Sequence, residues 1–126
     1  MNTLQAGFSR VNITPALGTP LSGYYKARYA EGVLDELEIN ALALSAGENT
    51  VVLMAADLCF IGKPEQAAVC AAVCEATGLA PHQIVIHSTH THTGPVVNME
   101  GKDRLAVDAD GSEVILEFFR LLCRDL

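Results

Sequence analysis

Between Val51 and Ile86 the sequence runs apolar, then helical, then apolar again, and this order restricts the fold more than anything else in the chain. Val51-Val52-Leu53-Met54-Ala55 is a short apolar run with the character of a buried strand. Pro64 to Thr77 predicts a helix, with proline at an early position, Glu65 in the first turn and Gly78 just past the end. Its apolar residues are mostly small, which suits close packing on a sheet. Ile84-Val85-Ile86 predicts a further buried strand. Alternating strands and helices imply an α/β fold, a layered sheet with packed helices.

The flanking sequence fits that scheme. Leu4 to Ile13 shows loose apolar alternation and stops at Thr14-Pro15. Ala16 to Gly23 is rich in turn residues and reads as a loop. Tyr24, Tyr25 and Tyr29 follow, read first as loop packing against the core and second as facing a substrate. Ile39 to Leu44 and Val51 to Ala55, separated by Ala46-Gly47-Glu48-Asn49-Thr50, predict a hairpin with both strands largely buried. Ala106 to Gly111 reads as a loop. Ser112 to Arg124 reads as a helix with Val114, Ile115, Phe118, Leu121 and Leu122 on one face.

Composition removes several function classes. The 126 residues are enough for one domain, and half of them are apolar, so the chain forms a core. The net charge is −7, with only eight Lys and Arg, which excludes the basic surface a nucleic-acid partner needs. No apolar run is long enough to span a bilayer. Met1 to Gln5 lacks the basic and apolar regions of a secretory signal. The four cysteines, Cys59, Cys70, Cys74 and Cys123, follow no framework spacing and read as buried free thiols. Together these features predict a cytoplasmic protein.

Three of the four histidines fall within His87-Ser88-Thr89-His90-Thr91-His92-Thr93-Gly94-Pro95. If the strand continues through this segment, His90 and His92 point to one face, since side chains two apart share a side. Two imidazoles so placed can chelate one metal and leave positions for other ligands and water. The intervening threonines can bond backbone or the second imidazole nitrogen and fix its tautomer. The segment also follows a strand of an α/β sheet, the end at which ligands bind. His87 is out of phase with His90 and reads as a strand residue, and His82 as an exposed one. Asp57, at the end of an apolar run, either orients a ligating histidine or caps a helix or loop. Cys70 and Cys74 share a helix face among alanine and valine and read as core packing. The chain contains no Gly-x-Ser-x-Gly elbow, Walker loop or Rossmann glycine pattern.

Four segments, in order, resemble the neutral/alkaline (non-lysosomal) ceramidases and their bacterial relatives. They are Ala6 to Pro15, Leu17 to Tyr24, Gly32 to Asp35 with the strand pair up to Asp57-Leu58, and Thr89-His90-Thr91-His92-Thr93-Gly94-Pro95. The last is the specific one. The resemblance implies a zinc-dependent amidase whose metal is held by two histidines, a glutamate and a tyrosine. Residues 1–126 would form a single partial domain, the N-terminal portion of a larger α/β metallohydrolase domain. His90 would be a zinc ligand. His92 would line the same pocket as a catalytic residue positioning substrate or the hydrolytic water. The other ligands and the active-site serine would come from later sequence. Thr93 stands where the family usually carries serine, Val96-Val97 replaces a glycine-rich continuation, and Asn40 falls where relatives often have arginine.

Two functional expectations follow. One is hydrolysis of an amide bond, of an N-acylsphingosine or of a water-soluble or sugar-derived amide. The other is a catalytically incomplete domain that only binds metal or a partner. Uncovered sheet or helix faces would also promote self-association.

Overall fold

The computed structural model describes residues 3–97. The loop at Ala106 to Gly111, the helix at Ser112 to Arg124 and Cys123 lie outside the described residues. Strand β1 (Leu4–Asn12) pairs antiparallel with β2 (Glu38–Ala46), which pairs antiparallel with β3 (Asn49–Ala56). Helix α1 (Lys63–Thr77) and a short 3-10 turn (Pro81–Gln83) then lead into β4 (Ile84–Ser88), parallel to β3. The sheet order is β1-β2-β3-β4. An α/β class therefore holds, as a mixed four-stranded sheet with one helix.

Local chemistry explains the boundaries. Ala46 pairs with Asn49, so the β2–β3 turn is Gly47-Glu48, and Gly47 supplies the positive φ of 63° that a two-residue hairpin turn needs at its first position. Helix α1 starts at Gly62 without a side-chain cap and carries a proline in its first turn, where an amide hydrogen has no helical partner. Glu65, also in that turn, is 2% exposed and lies where the helix dipole favours an anion. A Cβ at position 62 would meet its Oε2, so the Glu65 carboxylate would have to shift to admit a side chain there. The helix ends at Gly78, left-handed with φ 73°, whose amide donates to the Cys74 carbonyl.

The sheet is two-faced. Ile39, Val52, Met54, Ala56, Ile84 and Ile86 turn toward Val69 and Val73 of α1, and Ile13, Leu58 and Val97 complete this core. The other face carries Phe8, Leu42, Leu53 and His87 along a groove of about 520 Å³. Phe8 is 80% exposed, Leu53 40% and Val85 48%. The sequence predicted largely buried strands, but among the described residues only one face is covered. Leu53 and Val85 are apolar for a face on which no described element packs. No helix among the described residues is long and apolar enough to cross a membrane.

Candidate metal centre

The parallel pair β3–β4 delivers two adjacent chain segments to the same end of the sheet. Past the strand ends the pairing continues: Thr89 donates its amide to the Ala56 carbonyl at 2.8 Å, and His90 to the Leu58 carbonyl at 3.0 Å. The strand itself stops at Ser88. His90 adopts φ 64°, the one described non-glycine residue with positive φ. Such a conformation costs on the order of 1–2 kcal/mol and persists only when surroundings enforce it.

That turn, and not strand alternation, brings the two histidines together. His90 Nε2 and His92 Nε2 stand 3.4 Å apart, with ring planes at 89°. The expected shared face is thus reached by a different route, because an extended strand no longer exists there. His90 Nδ1 lies 2.7 Å from the Cys59 carbonyl oxygen. A carbonyl only accepts, so Nδ1 holds the proton and Nε2 keeps its lone pair. The sequence offered the threonines, bonding either backbone or imidazole, and Asp57 as candidates for this control. They are occupied elsewhere: Thr89 donates to Asp57 Oδ1 at 3.1 Å, and Thr91 and Thr93 share a hydroxyl contact at 2.9 Å.

The loop between β1 and β2 encloses the turn. Ser22 donates its amide to the Gly94 carbonyl at 3.0 Å and Val96 to the Pro20 carbonyl at 3.0 Å. Leu21 and Pro95 form a bridge. This staple presses Gly23, left-handed with φ 91°, onto His92, where an added Cβ would lie 2.6 Å from the ring. Tyr24 meets His92 edge-on at 6.0 Å between centroids, and the Arg28 guanidinium stacks 4.1 Å above Tyr24. Of the three tyrosines, Tyr24 borders the histidine pair. Tyr29 lines a neighbouring cavity of about 770 Å³ with Arg28, Leu34, Asp57, Thr91 and Thr93, and Tyr25 points fully into solvent.

Cys59 is the third donor near this point, 3% exposed, and the three donor atoms of Cys59, His90 and His92 fall within 4.8 Å of one another. Its Sγ sits 3.8 Å from His90 Nδ1, on the protonated side of the ring. The open lone pair of His90 is therefore that of Nε2, which faces His92 Nε2, with the thiol on the opposite side of the ring. His87 bonds its own neighbour, the Ser88 carbonyl, at 3.1 Å on the uncovered sheet face, and His82 is exposed in the 3-10 turn. Neither joins the cluster. Cys70 and Cys74 pack against the core beneath α1 as expected, and burial, followed by the hydrogen bond and charge of Cys70, pushes the Cys74 thiol up. Asp57 touches no imidazole, and its carboxylate accepts from the Glu38 amide and the Thr89 hydroxyl.

Sequence reasoning passed over Cys59 as a site residue, and it treated Gly23 as an ordinary turn glycine. The only available signal for Gly23 was its place beside Tyr24 in a segment already resembling the ceramidases.

The mixed sheet with its helix superposes on part of two solved ceramidases. Neutral ceramidase from Pseudomonas aeruginosa superposes with a TM-score of 0.72 at 19% identity, over 98% of this chain and 21% of that one. A ceramidase complexed with C2 superposes with a TM-score of 0.66 at 19% identity, over 94% of this chain and 20% of that one. The chain thus spans about a fifth of the length of these structures. No protein-family profile matches the sequence. No curated protein matches it either.

Proposed function

We propose that this chain is the histidine-bearing segment of a zinc-dependent amide hydrolase of the neutral ceramidase type. The observation that carries the reading is the 3.4 Å separation of His90 Nε2 and His92 Nε2. Two nitrogens ~2.0–2.1 Å from one tetrahedral zinc stand ~3.3–3.4 Å apart, so the pair already has the spacing of two ligands on one ion. His90 would be the primary ligand, since the Cys59 carbonyl keeps its proton on Nδ1. His92, held between Gly23, Tyr24 and His90, would either complete the ligation or hold a proton for the reaction beside it. When bound, zinc supplies Lewis-acid polarisation of an amide carbonyl and a more acidic water. The threonine-walled cavity beside the turn would receive the substrate, an N-acyl lipid or a smaller amide.

A second reading has its own support. Two nitrogens do not close a tetrahedral site, and the buried Cys59 thiol is the nearest further donor. The chain would then bind metal without turnover, or would need ligands from beyond residues 3–97. In either reading a reducing compartment would keep the Cys59, Cys70 and Cys74 thiols free.

Elemental analysis of the purified chain after zinc loading, beside His90→Ala, tests the proposal. Zinc retained by the wild type and lost in the variant is the expected result. Equal retention in both would remove His90 from the site and the proposal with it.

A further inference from the structure

The histidine turn contains a conformation that its own sequence does not favour. His90 sits at φ 64°, a region that histidine enters more often than most side chains but still uncommonly. Something outside the turn holds it. The Leu58 and Cys59 carbonyls hold His90 directly, and the Asp57 carboxylate braces the turn from the residue before it, joining three chain segments at once. Asp57 Oδ2 accepts the Glu38 amide at 3.0 Å, at the start of β2. Asp57 Oδ1 accepts the Thr89 hydroxyl at 3.1 Å, in the residue before His90. Its own amide returns a bond to the Glu38 carbonyl at 2.9 Å.

We propose that Asp57 and Thr89 form a positioning pair that holds His90 Nε2 at metal-binding distance from His92. The proposal rests on the zinc reading above, which it extends to the residues that keep the ligands in place. Asp57 borders the 770 Å³ cavity, so contact with a substrate is the competing role for it. Yet each of its oxygens already accepts a hydrogen bond from the protein. The Thr89 hydroxyl, in turn, is tied to that carboxylate. The bond chain therefore runs from the start of β2 through Asp57 to Thr89, and from there along the backbone to His90. Next to it, the Asp57 carbonyl approaches Gly94 so closely that a Cβ at position 94 would come within 2.8 Å of it. Asp57 thus lies between the start and the end of the turn that carries both histidines.

Isosteric substitutions separate positioning from mere charge or bulk. Thr89→Val keeps the branched shape and removes the hydroxyl, whereas Thr89→Ser keeps the hydroxyl. Asp57→Asn removes the charge but can still accept the Glu38 amide through its oxygen and donate its amide to the Thr89 oxygen. Asp57→Ala removes both bonds. Zinc affinity of the full chain is measured by competition with a chromophoric chelator, and the Co²⁺ ligand-field spectrum of each variant reports ligand geometry. Thr89→Val and Asp57→Ala should bind zinc about 10–100-fold more weakly, with altered Co²⁺ bands. Thr89→Ser and Asp57→Asn should stay within about threefold of wild type, as hydrogen-bond geometry is what they retain. The double variant Asp57→Ala/Thr89→Val should be no weaker than Asp57→Ala alone, because both act through one bond.

Wild-type affinity and spectrum in Thr89→Val, with binding lost in His90→Ala, would overturn the positioning role and leave the zinc reading standing. Binding unaffected by His90→Ala would instead remove the zinc reading itself. If Asp57→Ala does not fold, the Thr89→Val and Thr89→Ser pair decides alone, since that change removes a single hydroxyl.

Discussion

Replacing Gly23 by alanine tests whether the β1–β2 loop sets the geometry of the histidine pair, and its consequences can be worked out in two parts. The first is backbone strain. Gly23 has φ 91°, and an alanine there costs on the order of 1–2 kcal/mol, which for a chain of this length lowers Tm by about 4–8 °C. The second is a collision. The new Cβ would lie 2.6 Å from His92 Cγ and Nδ1, whereas ordinary contact begins at 3.4 Å, so the ring must retreat by about 0.8 Å. Metal ligands tolerate errors of only about 0.2 Å, and the His92 Nε2 now 3.4 Å from His90 Nε2 would leave its place. Zinc binding should weaken by about 10–100-fold, equivalent to about 1.4–2.7 kcal/mol. Gly18→Ala is the matched control: Gly18 has φ 84°, but a Cβ there meets nothing within 4 Å. It should lose stability to a similar extent and keep its zinc affinity. Thermal melts and chelator competition on both variants read the two effects separately. A folded Gly23→Ala chain with wild-type zinc affinity would refute the claim that this loop positions His92.

Two further changes examine the scaffold. Leu58 is fully buried, and its carbonyl receives the His90 amide, so Leu58→Ala should cost about 2–5 kcal/mol in denaturant unfolding while the backbone bond remains available. A loss below about 1 kcal/mol would show that the site beneath the turn collapses around the smaller side chain. The uncovered sheet face predicts concentration-dependent association of the chain, and Phe8→Ser with Leu53→Thr should shift sedimentation toward the monomer without changing zinc affinity. Unchanged sedimentation would mean this face does not drive association.

The order of elements was legible because punctuation residues carry it. Pro64 and Gly78 bracket α1, and Gly47 marks the hairpin turn, in each case through a backbone conformation that other residues pay more to adopt. Burial was less legible. Val51 to Ala55 and Ile84 to Ile86 are apolar at every position, a pattern that predicts cover on both faces, while the described chain covers one. Apolar composition alone does not tell which face of a strand the fold covers.

At the site, the two histidines of the His-x-His segment do converge, but not through the geometry that the spacing implies. His-x-His spacing brings two side chains together on an extended strand, but the strand ends at Ser88, and at His90 the backbone turns left-handed. The two Nε2 atoms meet because Cys59 fixes one ring, Gly23 limits the other, and Asp57 ties down the residue before the turn. None of these three is within 25 positions of His90 in sequence, so no local pattern could show them; only the parallel pairing of β3 with β4 brings residues 57–59 alongside residues 88–90. A motif of this kind points to candidate ligands, and long-range hydrogen bonds decide whether they converge. Its metal affinity should therefore respond as strongly to Thr89→Val, which leaves both histidines intact, as to changes in the loop that touches them.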